Sequence, residues 1–177
     1  MSLKGLKRKS ANSYYLKQLK KFKKDDPVLI KKIDNIGILA NSRLFGSYDI
    51  TRNLSQKFNL PSRCFEVIIF EDLKDDFVSQ HYNTFTEKDL GMFGKAKAPN
   101  VVDFIDTEFD LLINYCPVTE IYTNILTMRS KAKLKVSFAS EEMLKIYDFT
   151  IDVQGNKIDV FNDELAKYLK IFKFISA

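Results

Sequence analysis

The sequence contains no tryptophan, one histidine (His81) and two cysteines, Cys64 and Cys116. Each shortage excludes some chemistry. One imidazole and no Cys-x-x-Cys pair cannot assemble a zinc constellation. Two isolated cysteines in 177 residues are not a disulfide framework. Both are flanked by apolar residues and are expected to stay reduced, which makes the cytoplasm the expected compartment. Six glycines are few, and none falls in a G-x-x-x-x-G-K-[ST] loop that would cradle phosphates. No apolar run approaches the ~20 residues that span a bilayer. The opening MSLKGLKRKS lacks the apolar h-region of a secretory signal. No internal repeat and no low-complexity segment occurs.

What is present suits a globular protein. Apolar residues make up 45% and charged residues 29% of a chain long enough to bury a core without staples. Phe (15) and Tyr (8) carry all of the aromatic content. The net charge of +5 hides an asymmetry. Residues 1–32 hold eleven Lys/Arg against Asp25 and Asp26 alone, while the remainder holds seventeen against twenty-one acids. A basic arm (residues 1–34) on a mildly acidic body (residues 35–177) is the strongest partner signal in the chain.

In the arm, SANSYYLKQLKKFKK (10–24) predicts a helix capped by Ser10, Asn12 or Ser13, with lysines in its last turn. Tyr15, Leu19 and Phe22 recur at i, i+4, i+7 as a narrow apolar stripe. The helix is expected to stop at Asp26-Pro27. IGILA (36–40) predicts a buried strand, and a helix follows from about Asp49 to Phe58, with Ile50, Leu54 and Phe58 on one face. EVIIF (66–70) is a second strand and HYNTF a marginal third. The segment 85–100 reads as a long irregular loop. VVDFIDTEF predicts a short helix and DLLINY a central strand. VTEIYTNILTMRS predicts a helix with Ile121, Ile125 and Met128 on one face, LKVSFA (134–139) a strand and YDFTIDV (147–153) an edge strand. In the closing helix Val160, Leu165, Leu169 and Phe172 are expected to form the apolar face. Short buried strands alternating with helices mean βαβ units. The expected fold is a three-layer, Rossmann-like α/β domain with a mainly parallel sheet and a basic N-terminal helical arm.

Several sites can be weighed from residue types. IGILA leads into Asn41-Ser42-Arg43-Leu44-Phe45-Gly46, with one glycine where a dinucleotide site needs G-x-G-x-x-G. The run Glu71, Asp72, Asp75, Asp76 reads as a solvated acidic loop rather than a Mg²⁺ site. Cys116 has no neighbouring base, so it is expected to be an inert end of a strand. No cofactor and no metal is expected. In LGMFGKAKAPN, Gly91 and Gly94 permit unusual backbone angles and Phe93 is a docking aromatic or, as expected here, a ring tucked into the core.

The arm carries the functional expectation. Lys7, Arg8, Lys9, Lys17, Lys20, Lys21, Lys23 and Lys24 can neutralise phosphates without reading sequence, and Tyr14 and Tyr15 interleave aromatics as single-strand binders do. This points to a non-enzymatic binding protein with an acidic partner, RNA or the ribosome foremost. A protein–protein adaptor is not separable from it by sequence. The alternative is a nucleotide or sugar site at the strand ends, built from Asn41, Ser42, Asn114 and Tyr115 with Phe93 on a lid.

Four segments, GILANSRLF, FTEKDLGMFGKAKAPNVVDFIDTEFDLLINY, SKAKLKVSFA and ELAKYLKIFKFI, resemble a family of small Bacteroidota proteins, a domain of unknown function. That resemblance implies no activity. FDLLINYCPVTEIYTNILTMRSKAKLKVSF is similar to part of the N-terminal Rossmann-like half of heptosyltransferases, which implies the fold and the glycosyltransferase-like form of the alternative. Asn114 stands where that family commonly has an acid, and Ser137 where it has glycine.

Overall fold

The computed structural model describes residues 3–24, 29–42, 48–71, 81–117, 119–141, 143–153 and 157–176. Six strands form one sheet: β1 Ile36–Asn41, β2 Phe65–Phe70, β3 Thr84–Phe85, β4 Leu111–Asn114, β5 Lys135–Phe138 and β6 Phe149–Ile151. Every pairing is parallel, in the order β3-β2-β1-β4-β5-β6. The described helices are α1 Leu3–Lys21, α2 Ile50–Phe58, α3 Pro99–Asp106, α4 Ile121–Arg129 and α5 Ile158–Ile171. This is a three-layer, Rossmann-like α/β fold.

The central strands are buried on both faces, as parallel strands are, and their residues alternate between two cores. Ile36, Ile38 and Ala40 of β1, with Leu111, Ile113 and Tyr115, pack with Ile50, Leu54 and Phe58 of α2 and Phe161, Leu165 and Leu169 of α5. Leu39, Ile68, Phe70 and Leu112 belong to the opposite core, with Val101 and Phe104 of α3, Tyr122, Ile125 and Leu126 of α4, and Ala11 and Tyr15 of α1. Right-handed crossovers that step outward in opposite directions place their helices on opposite faces. Here β1–α2–β2 steps one way and β4–α4–β5 the other.

Local chemistry sets the ends of α2. The Asp49 carboxylate accepts the N–H of Arg52 at 2.9 Å as an N-cap. Asn59 closes the helix in the left-handed conformation at φ 54°.

Four expectations need correction. Helix α1 begins at Leu3, so Ser10, Asn12 and Ser13 lie inside it and cap nothing. The buried face of α5 is Ile158, Phe161, Asn162, Leu165, Ala166 and Leu169, whereas Val160 and Phe172 are exposed at 44% and 51%. Two stripes share Leu165 and Leu169, and the sheet selects the one carrying the Phe161 ring. Segment 85–100 is ordered by short 3₁₀ turns at Glu87–Asp89 and Met92–Gly94 and an antiparallel bridge between Leu90 and Ala96. Helix α1 also ends at Lys21, with residues 22–24 already non-helical, rather than at Asp26-Pro27. Asp26 and Pro27 themselves, the turn from Arg43 to Gly46, and Asp72, Asp75 and Asp76 lie outside the described residues.

Two contacts hold the sheet's amino edge and its centre. Asp110 Oδ2 accepts the N–H groups of Asp34 and Asn35, each at 3.1 Å, and its Oδ1 accepts Lys133 Nζ at 2.8 Å. Desolvation pushes this carboxyl up, but Lys133 and the two amides together outweigh it and hold its pKa below the ordinary value. Gly37 faces the Phe109 ring, and a Cβ there would lie 2.7 Å from two ring carbons.

Gly37→Ala should therefore cost about 1–3 kcal/mol by overpacking, measured by urea unfolding. For Asp110→Ala a loss of about 1–3 kcal/mol is expected at neutral pH. Because the folded pKa is depressed, the advantage of the wild type is present above the unfolded value of about 4 and fades as pH falls through the lower folded value. Equal pH dependence of the two proteins would contradict this account of Asp110.

Candidate nucleic-acid interface

Helix α1 packs along the α3–α4 side of the sheet. Ala11 and Tyr15 are buried to 2% exposure, with Tyr14 and Leu19 half-buried beside them. Ala11, Tyr15 and Leu19 fall at i, i+4, i+8, so one narrow stripe faces the body. Lys9, Ser13, Lys17 and Lys20 lie on the opposite side by helical rotation.

The basic residues divide by what they touch. Arg8, Lys9, Lys17, Lys20, Lys21 and Lys23 are exposed, and no carboxylate among the described residues forms an ion pair with any of them. Lys24 is spent on the body, where its ammonium donates to the Tyr147 carbonyl. The Lys7 side chain lies outside the described residues. Arg8, Lys9 and Asn12 form one wall of a cleft of about 250 Å³ whose other wall is Thr119 and Ile121, at the start of α4. Beside it, burial, then Glu87, push the Tyr122 hydroxyl up to about 12, with Arg8 pulling the other way.

The turn at Met92–Gly94 is clamped against α1 and α4. Arg129, at the end of α4, donates from Nη1 to the Gly94 carbonyl at 2.7 Å and from Nη2 to the Phe93 carbonyl at 3.3 Å. Its Nη2 also donates to the Tyr14 hydroxyl at 3.1 Å, with the guanidinium carbon 5.2 Å from the Tyr14 ring centroid. Gly94, at φ 62°, is buried against Ile125. Phe93 is also left-handed, at φ 61°. A bulky residue there stores about 1–2 kcal/mol of strain. The expectation of a core ring is corrected: Phe93 is 58% exposed, because the clamp turns Gly94 inward and the aromatic outward.

The strand-end residues are differently placed. Asn41 and Ser42 sit half-buried at the carboxyl end of β1. Asn114 is fully buried and is the hub of a polar cluster. Its Nδ2 donates to the Tyr147 hydroxyl at 2.6 Å, with Asn124 Oδ1 and Thr127 Oγ1 each at 3.4 Å. Its Oδ1 accepts the Cys116 N–H at 2.9 Å, and its backbone carbonyl accepts the Ser137 hydroxyl at 2.9 Å. Tyr115 donates its hydroxyl to Asn162 Oδ1 at 2.6 Å, and Asn162 Nδ2 donates to Asn53 Oδ1 at 2.9 Å. The polar atoms of Asn114 and Tyr115 thus meet protein partners, on opposite faces of the sheet. Cys116 is 1% exposed and burial pushes its thiol far up, the condition of an inert cysteine. Phe93 touches Tyr14 rather than this cluster, at 6.4 Å between ring centroids. Among the described residues no group of His, Cys, Asp and Glu is placed to hold a metal ion, and no helix is long and apolar enough to cross a membrane.

A family model, described as a family of unknown function (DUF6913), matches residues 7–172. The chain belongs to this family. No curated protein and no solved structure matches it significantly.

The DUF6913 match runs from within α1 almost to the end of the chain. Four partners in this geometry carry little or no signal in the sequence. Arg129 carried one signal, a cation in the last turn of a helix, but nothing local marks its reach to Gly94. Tyr147, Thr127 and Asn162 carried none, since their roles depend on where β4 lies. Asn114→Ala should cost about 2–4 kcal/mol, more than one hydrogen bond, because several buried partners lose theirs together. In native protein Cys116 should resist alkylation and become reactive only on unfolding, as peptide mass mapping would record. Rapid native labelling would contradict its placement.

Proposed function

We propose that this chain is a non-enzymatic, cytoplasmic binding protein whose helix α1 engages RNA, ribosomal RNA included. The observation that carries this reading is the way α1 is held. Docked through Ala11 and Tyr15 and followed by Lys24, which is tied to the body, it keeps Lys9, Lys17, Lys20 and Lys21 outward, with Lys23 exposed just beyond its end, and no carboxylate among the described residues pairs with any of them. A fixed row of ammonium groups on an otherwise acidic protein attracts a polyanion and releases its counterions, whatever the base sequence. The net excess of acids outside residues 1–32 disfavours nucleic acid elsewhere on the molecule.

Reversing Lys17, Lys20, Lys21 and Lys23 to Glu should abolish salt-sensitive retention of RNA while leaving the thermal unfolding transition intact. Absence of retention by the wild type at low salt would overturn the proposal.

A second reading rests on the strand order, which reverses between β1 and β4, the place where open α/β sheets take ligands. The cleft of Arg8, Lys9, Asn12, Thr119 and Ile121 offers two cations to the phosphate of a small ligand, of the kind a nucleotide or nucleotide sugar carries. Stabilisation of the protein in a thermal-shift screen of such compounds would support it; a flat response would count against it.

A further inference from the structure

We propose that Phe93 is a stacking platform for an unpaired nucleobase, so that the partner of α1 is single-stranded rather than duplex nucleic acid. This rests on the RNA-binding reading of α1 and adds the strand state and the residue that selects it. Three independent features converge on the ring. Its backbone adopts a conformation that bulky side chains avoid, at φ 61°, and strain of that kind persists only where the surroundings impose it. Arg129 supplies the imposition by holding the carbonyls of both Phe93 and Gly94. The strain is not repaid by burial, since the ring is 58% exposed. A held, outward aromatic is what a stacking platform requires.

Its neighbours are suitable. Phe93 borders Tyr14, and Tyr14, Lys17 and Lys21 stand at i, i+3, i+7 on one flank of α1. A base on Phe93 would leave its flanking phosphates beside Lys17 and Lys21. A duplex keeps its bases paired and offers nothing to stack, whereas any unpaired base presents a π-face. An anionic membrane is the less favoured occupant of the same surface. Of the nearby exposed apolar side chains, Met92 stands beside Phe93 on the same turn while Leu16 is two positions from Tyr14 and faces another way, so the apolar surface is small for a membrane face.

The test uses the full chain with a labelled oligouridylate and an RNA duplex of equal length. Phe93→Ala should weaken oligouridylate binding roughly tenfold, the scale of one base–aromatic stack, with the salt slope and duplex binding unchanged. Phe93→Gly relieves the positive φ, so it should fold with an undiminished melting temperature and lose the same affinity. Because the chain has no tryptophan, Phe93→Trp places a single reporter at the site. Its emission should be quenched by the oligonucleotide and left unchanged by phosphatidylserine vesicles. Wild-type affinity in both Phe93→Ala and Phe93→Gly, or an unquenched Trp in a bound complex, would overturn the platform while leaving α1 as a duplex-tolerant surface. A blue shift on vesicles without quenching by RNA would assign the surface to membranes instead. Failure of the wild type to bind any RNA would remove the reading on which the platform rests.

Discussion

An all-parallel sheet must have both faces covered, because its central strands carry apolar side chains to either side and its crossovers cover only part of each face. In this molecule α2 covers one face beside β1 and β2, and α4 covers the other beside β4 and β5. The uncovered halves are closed by α3, whose Val101 and Phe104 lie on the α4 face, and by two helices outside the crossover pattern. Helix α5 completes the α2 face, and α1 adds Ala11 and Tyr15 to the core on the α4 face. The cationic helix is therefore part of the packed structure, and its lysines inherit a fixed orientation. A polyelectrolyte arm that hung free would lose entropy on meeting a partner; a docked one has already been ordered.

The carboxyl end of β4 shows a second constraint. A polar side chain at a fully buried strand position must be satisfied by protein. Asn114 meets this demand with Tyr147, Asn124 and Thr127 and with the Cys116 amide. The region that in related architectures opens to ligands is here filled by its own hydrogen bonds. What stays accessible lies beside it, in the cleft walled by Arg8, Lys9 and Asn12 and on the turn that carries Phe93.

Much of the architecture was legible from the chain. β1, β2 and β4 announce themselves as short, continuous apolar runs, and α2 declares both its ends through Asp49 and Asn59. Other features misled in instructive ways. The serines and asparagine at 10–13 look like caps, yet α1 passes through them because Ala11 and Tyr15 find a core to enter. Val160 and Phe172 share a helical stripe with Leu165 and Leu169 but stay exposed, since the sheet receives Phe161 instead. Of the site, the sequence displayed the lysines and the polar interruption at Asn114. It did not display that Lys24 is tied to the Tyr147 carbonyl or that Phe93 faces outward.

The division follows from the range of the forces involved. Periodicity, capping and charge accumulation act between residues a few positions apart, so the sequence by itself determined the fold class, the central strands and the basic character of α1. The direction of the Phe93 ring depends on Arg129, 36 residues away, and the satisfaction of Asn114 on Tyr147, 33 residues away. Only the tertiary structure decided these, because hydrogen-bond partners that distant are chosen by how the helices pack on the sheet.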